Sequence, residues 1–209
     1  MTDNKRRSLS RARRRARLRR RIVAAVLIAM LCAGLVGMGL WLLLTNRPQV
    51  TIERYPLEYV DQIRAQAEES GVDPALVAAV ILAESSYQPD AVSEANAQGL
   101  MQLLPSTAQW VAEKFDEPYA EGCLFEPERN IKYGSWYLGY LLRRFDGDAT
   151  KAVAAYHAGQ GRVDEWLANP EYSPDGITLS VIPSQATDTY VKRVLRYYEK
   201  YREMYAQTA

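Results

Sequence analysis

Two cysteines and a single histidine are all that this chain of 209 residues holds of those two residue types. Cys32 lies in an apolar run and Cys123 far downstream, so no disulfide framework is expected and two cysteines cannot build a structural zinc site. With one histidine, a metal centre has few ligands to draw on, and neither metal nor cofactor is expected. No stretch alternates apolar and polar residues convincingly, which excludes a sheet-based fold. No internal repeat is present either. Charge of both signs is missing from Ile22 to Leu44, twenty-three residues in succession.

That gap separates two halves of opposite sign. Residues 1–21 hold eleven Lys and Arg against Asp3 alone, a net +10, whereas the residues after 44 hold fifteen Lys and Arg against twenty-four Asp and Glu, a net −9. The overall +1 describes neither half. As a helix, residues 22–44 would span the hydrocarbon core of a bilayer, about 30 Å. Gly34, Gly37 and Gly39 suit a membrane helix better than a soluble one, and Trp41 falls where an interfacial aromatic belongs. The run is longer than the core of a cleaved signal peptide, and Thr45-Asn46-Arg47-Pro48 is no small-residue cleavage site. The expectation is an uncleaved single-pass anchor with its basic N-terminus cytoplasmic and residues 45–209 outside. A basic block beside a span fixes topology and attracts anionic lipid, so nucleic acid is not an expected partner. An exterior at −9 is expected to be weakly repelled by polyanions outside the membrane, which would confine its action to the reach of the anchor.

Beyond a polar stalk over residues 45–55, helical periodicity dominates, and the exterior domain, residues 56–209, is expected to be all-α. Leu57, Val60, Ile63, Arg64 and Ala67 form an amphipathic segment that Gly71 ends. Asp73 then caps a helix with Pro74 at its first position and an apolar face of Leu76, Val77, Val80 and Ile81. Pro105 starts another helix, running to Phe115. Glu126-Pro127-Glu128 opens a long helix that Asp146-Gly147-Asp148 stops. A short helix over residues 149–157 leads to the break Ala158-Gly159-Gln160-Gly161, and Val163 to Leu167 forms a further turn or two. Residues 169–184 read as loop, and a final helix covers about 187–205.

Chemistry points to Glu84. It stands at i+4 from Val80 and i+3 from Ile81, on the apolar face, at a helix C-terminus where the macrodipole disfavours negative charge. Burial and dipole both raise a carboxyl pKa. A carboxyl kept protonated near neutral pH is what a departing glycosidic oxygen needs. The plainer alternative is a glutamate that curls out to solvent at a helix end. Fifteen residues on, Gly99 can take positive φ and let the backbone approach a ligand, and Gln102 offers both donor and acceptor to an amino sugar.

Three blocks then carry a resemblance. Glu84-Ser85-Ser86-Tyr87-Gln88-Pro89-Asp90-Ala91-Val92-Ser93, Gly99-Leu100-Met101-Gln102-Leu103-Leu104-Pro105-Ser106-Thr107-Ala108 and Ala154-Ala155-Tyr156-His157-Ala158-Gly159 resemble the signatures of the soluble-lytic-transglycosylase (SLT) family of peptidoglycan lyases. Asn130-Ile131, Gly134, Tyr137-Leu138 and Leu141-Leu142 resemble that family's long central helix, and the similarity covers roughly residues 56–205. The resemblance implies a lysozyme-like helical fold, here preceded by the transmembrane helix, that cleaves the β-1,4 bond between MurNAc and GlcNAc. It implies that Glu84 is the sole acid and base and that Ser93 positions the N-acetyl group or departing sugar. Gln102 and Tyr156 would hydrogen-bond the glycan, and Leu104 would line the cleft where relatives often carry methionine. Expected partners are peptidoglycan strands, the cytoplasmic membrane through residues 22–44, and cell-wall synthesis or division proteins.

The mechanism turns on a missing carboxylate. A hydrolase needs a second one to act as nucleophile or water-activating base, and residues 99–108 hold no Asp or Glu. Glu84 could protonate the leaving oxygen, then deprotonate the MurNAc C6 hydroxyl to close a 1,6-anhydro ring. Asp90 and Glu94, the nearest spare carboxylates, are expected to be solvated or capping. Two positions depart from the family pattern. His157 replaces an asparagine, either touching substrate and adding pH dependence or packing beside the Gly159 turn. Ala186 stands where relatives carry a glutamate before Tyr190-Val191, with Tyr190 either lining the cleft or buried in the core. Two alternatives stay open: a hydrolytic muramidase of goose-type lysozyme character, and a non-catalytic glycan-binding scaffold.

Overall fold

The computed structural model describes Met38 and residues 55–207. The expected basic segment 1–21 and membrane segment 22–44, apart from Met38, lie outside the described residues, as does the stalk except for Tyr55. Among the described residues, no helix is long and apolar enough to cross a membrane. From Tyr55 onward the chain is helical: α1 (Val60–Ser70), α2 (Pro74–Glu84), α3 (Pro105–Lys114), a 3-10 turn (Cys123–Phe125), α4 (Pro127–Arg144), α5 (Ala149–Ala158), α6 (Gln160–Leu167) and α7 (Gln185–Gln207). Strand-like pairing among these residues is limited to two isolated antiparallel bridges, Val92 with Gln98 and Gln98 with Leu103.

Local chemistry explains most boundaries. Gly71 ends α1 at φ 70, and the Asp73 side chain accepts from Ala75 N at 2.9 Å with Pro74 in the first turn of α2. Asp148 caps α5 by accepting from Lys151 N at 3.0 Å. The helix after the glycine-rich break begins at Gln160, three residues earlier than periodicity suggested. Gly159 alone, at φ 89, makes that break, and Gly161 is accommodated inside the helix. The last helix is longer at both ends than expected, and the 3-10 turn carries no sequence signal we recognise.

α2 differs most from its amphipathic reading. Every residue from Ala75 to Ile81 is buried, so the helix has no solvent face until its last turn. It packs against α7 and α1. A helix apolar all round belongs in a core, and this one is the centre of the larger of two hydrophobic clusters. The smaller cluster gathers Leu103, just before α3, with Ala108, Val111, Ala112, Cys123, Leu124 and Tyr133 from α3, the 3-10 turn and α4. Tyr137 and Tyr156 pack against both clusters.

The segment joining the clusters, residues 98–104, is pinned by Asn130 near the start of α4. Asn130 is fully buried; its Oδ1 accepts from Met101 N at 2.7 Å, and its Nδ2 donates to Gln98 O at 2.9 Å and Leu124 O at 2.8 Å. Met101 in turn lies over Gly134, where a Cβ would fall 2.3 Å from its sulfur. Replacing Asn130 by Ala strands the Met101 N–H and the Leu124 carbonyl and leaves Gln98 O with its bond from Leu103 N alone. We expect a loss of about 3–5 kcal/mol and a fall in Tm of roughly 10 °C. Thermal and urea denaturation check this, and a loss below about 1 kcal/mol would contradict the clamp.

Candidate active site

The enclosed helix delivers Glu84 as its last residue. Ser85 follows, buried, and its hydroxyl donates to Leu100 O at 2.8 Å, tying the end of α2 to the Asn130-clamped segment. Ser86 and Tyr87 then adopt left-handed backbone at φ 53 and 66, costly for residues with side chains. Burial of Tyr87 holds that turn in place.

Among the described residues, the Glu84 carboxyl has one hydrogen-bonding neighbour. Tyr190 of α7, itself only 3% exposed, donates its hydroxyl to Oε1 at 2.6 Å. Burial pushes the carboxyl up from 4.5 to about 7, against the opposing pulls of the Tyr190 hydrogen bond and the Arg193 guanidinium. The two sequence readings of Tyr190 therefore coincide: it is a buried tyrosine, and it touches the acid. Among the described residues, the groups acting on Glu84 include no second carboxylate. Asp90 and Glu94 are exposed.

Tyr156 and His157 close the site from α5. The Tyr156 hydroxyl donates to Met101 O at 2.8 Å, so its proton is committed to the clamped segment. Burial, and next the nearby charge of Glu84, hold its phenol well above the ordinary range. The His157 ring lies 4.5 Å from that of Tyr190, with Nδ1 3.2 Å from Thr187 Oγ1. Burial first and then Arg193 lower its pKa, favouring the neutral imidazole.

Two depressions flank His157. One of about 240 Å³ is lined by Gln102, Leu104, Thr107, Tyr137, Tyr156 and His157, among others. The other, about 400 Å³, is lined by His157, Gln185, Ala186, Thr189, Tyr190 and Arg193. Glu84, Tyr156, His157 and Tyr190 thus come together, with Gln102 and Leu104 adjoining; Leu104 is 42% exposed. Gln102 sits at φ 47 with its Nε2 donating to Ala91 O at 2.9 Å and Gly99 O at 3.0 Å, so it can offer a ligand only its acceptor oxygen. Ser93 lines neither depression; its Oγ accepts from Ala97 N at 3.0 Å.

Gly99 calls for a correction. Its φ is 77, and a Cβ there would lie 2.1 Å from Leu124 O and 2.2 Å from Asn130 Nδ2. The close approach it permits is to the asparagine clamp, not to a ligand. Arg193 and Asn130 were not singled out for these roles by the sequence. Arg193 stands at i+3 from Tyr190, and that spacing was the available signal.

A family model for the transglycosylase SLT domain matches residues 61–176. The soluble lytic murein transglycosylase of Salmonella typhimurium is 37% identical over 158 residues, covering 74% of this chain and 24% of that protein. A membrane-bound lytic murein transglycosylase C of Actinobacillus pleuropneumoniae is 33% identical over 172 residues, covering 72% of this chain and 47% of the relative. Among solved structures, an inactive mutant of the lytic transglycosylase Slt from Pseudomonas aeruginosa superposes with a TM-score of 0.68 at 32% identity, covering 77% of this chain and 26% of that one. The chain thus spans about a quarter of the length of the soluble relatives it matches.

A carboxyl that keeps its proton to about 7 when folded but loses it near 4.5 when unfolded binds more protons in the native state across that window. Stability therefore falls as pH rises from about 4.5 to about 7 and levels off above. Glutamine at this position cannot titrate. Between about pH 4 and about pH 8, the stability of Glu84→Gln relative to wild type should rise by about 3 kcal/mol. Urea denaturation at the two pH values measures it; a difference that does not change with pH would contradict the buried, protonated carboxyl.

Proposed function

The chain belongs to the transglycosylase SLT domain family, and from that membership we propose that it is a membrane-anchored peptidoglycan lytic transglycosylase. It cleaves the β-1,4 bond between MurNAc and GlcNAc and leaves a 1,6-anhydro-MurNAc end. The observation that carries this reading is one buried carboxyl, raised to about 7, held by a phenol and without a second carboxylate acting on it among the described residues.

The chemistry follows from that arrangement. Protonated Glu84 donates to the glycosidic oxygen as the C1–O bond breaks. The substrate's own acetamido oxygen takes up the positive charge developing at C1. Glu84, now a carboxylate, accepts the C6 hydroxyl proton while O6 bonds to C1, which restores the acid. No water enters the balance. Tyr190 serves both stages, since its hydroxyl can donate to the carboxylate and hold the carboxyl in place. A hydrolase would need a second carboxylate at about 5 Å or 6.5–9.5 Å. The solved Pseudomonas relative, inactive with one glutamate changed to glutamine, supports a glutamate-dependent reaction.

In this proposal the domains run 1–21 basic and cytoplasmic, 22–44 transmembrane, 45–55 stalk and 56–209 catalytic. The uncharged run behind a +10 block supports anchoring, as does the membrane-bound name of one relative. Peptidoglycan strands are the substrate, reached from the outer face of the cytoplasmic membrane. Ser93, Gln102, Leu104, Tyr156, His157 and Tyr190 are the proposed substrate-side residues. Of these Gln102, Leu104, Tyr156, His157 and Tyr190 line the depressions.

Digestion of purified peptidoglycan by wild type should release muropeptides one water lighter than reducing-end products, seen by mass spectrometry. Turnover should fall as pH rises above about 7, where Glu84 loses the proton it must donate. Glu84→Gln should lower turnover by ~10²–10⁴-fold, the typical worth of a general acid or base. Reducing-end products would make the enzyme a hydrolase, and equal, negligible turnover by both proteins would leave only a glycan-binding role.

A further inference from the structure

The depression of about 400 Å³ beside Tyr190 is lined by a guanidinium and by no carboxylate. None of His157, Gln185, Ala186, Thr189, Tyr190 and Arg193 is acidic, although the residues after 44 carry a net −9. Another depression that holds cations, formed by Glu117, Pro118, Glu126, Glu128, Arg129 and Lys132, contrasts with it. There Lys132 pairs with Glu117, and Arg129 with Glu126 at 3.4 Å. On α7 itself Lys192 pairs with Asp188 at 2.7 Å. Arg193 makes no such ion pair among the described residues. Its Nη2 reaches Ala83 O at 3.4 Å and its guanidinium lies 5.6 Å from the centre of the Tyr190 ring.

A guanidinium carries five N–H donors in a planar fork that matches a carboxylate. One of the five is used here, weakly, on a backbone carbonyl. Gln185 and Thr189 add neutral donors on the same wall, and the Ala186 methyl leaves room between them. We infer that this depression binds a carboxylate carried by the glycan, and that Arg193 is the residue selecting for it. This rests on the proposed reading of Glu84 as the acid at a muramoyl linkage, because the depression adjoins Glu84 through Tyr190. Each muramoyl unit bears a lactyl ether. Its carboxyl is free where the peptide is absent and amide-bonded where a stem peptide brings carboxylates of its own. Either source presents the same chemistry to Arg193.

The test uses three glycans: one without stems, the same glycan with its lactyl carboxylates converted to neutral methylamides, and one bearing stems. Binding is measured by calorimetry on the uncleaving Glu84→Gln protein, with and without Arg193→Gln, and initial rates on wild type and Arg193→Gln. Loss of Arg193 should weaken binding of a carboxylated glycan roughly tenfold or more, with a matching rise in KM, and leave binding of the neutral glycan to the Glu84→Gln protein unchanged. Arg193→Lys should restore part of the loss, and raised salt should shrink the effect because Arg193 is exposed. A penalty on the stem-free glycan identifies the lactyl carboxylate; a penalty confined to the stem-bearing glycan identifies the peptide. Equal weakening on all three, or none, overturns the inference and leaves Arg193 acting only on Glu84 or on the fold. If wild type cleaves none of the glycans yet carboxylate-dependent binding needs Arg193, the proposed activity fails while the site stands.

Discussion

A helix apolar on every side can meet solvent only at its ends, and α2 imposes that constraint on the whole domain. Ala75 to Ile81 are all buried, so α1 and α7 must close around them. The C-terminal end of that enclosed rod is Glu84. Its carboxyl inherits the desolvation of the core while remaining at the edge of a cleft, and burial is the largest influence on its proton affinity. The raised proton affinity is thus a consequence of where the helix ends, and no carboxylate partner is needed to produce it. Tyr190, from the helix that packs most closely on α2, supplies the one hydrogen bond the carboxyl needs in either protonation state.

The second constraint is the join between the two hydrophobic clusters. Asn130 satisfies three backbone groups of residues 98, 101 and 124 at once. Ser85 adds a bond from the end of α2 to Leu100, and Tyr156 adds one to Met101. Three side chains from three helices therefore grip the same short segment. The result fixes the segment tied to the end of α2 with side-chain bonds to backbone, geometry that tolerates little displacement. The strained pair Ser86 and Tyr87 persists in this setting because both of its flanks are held.

Much of this was legible in residue order because it is local. Asp73 before Pro74, Gly71 after α1 and Asp148 before α5 each act within a few residues, and the helices start and stop where those signals stand. Glu84 was legible for the same reason, as a carboxylate in phase with Val80 and Ile81. What periodicity could not show is what encloses a helix from outside, so α2 read as one-faced when it is buried all round. Gly99 was misread because its crowding comes from Leu124 and Asn130, tens of residues away. Gln102 and Tyr156 looked like ligand-binding groups, yet each has its hydrogen donors committed to backbone. Arg193 went unremarked because its significance lies in its closeness to Glu84 without an ion pair of its own among the described residues, which only the fold reveals.

In the proposed reading, the domain keeps one proton in place by burial, lends it and takes it back. The most direct measurement is the titration of that carboxyl itself, followed by carbon NMR on protein labelled at the glutamate side-chain carboxyls and assigned by the resonance missing from Glu84→Gln. A midpoint at about 7 is the predicted result. A midpoint near the ordinary 4.5 would mean that Glu84 is solvated and ionised at neutral pH, and the single-acid account would fail.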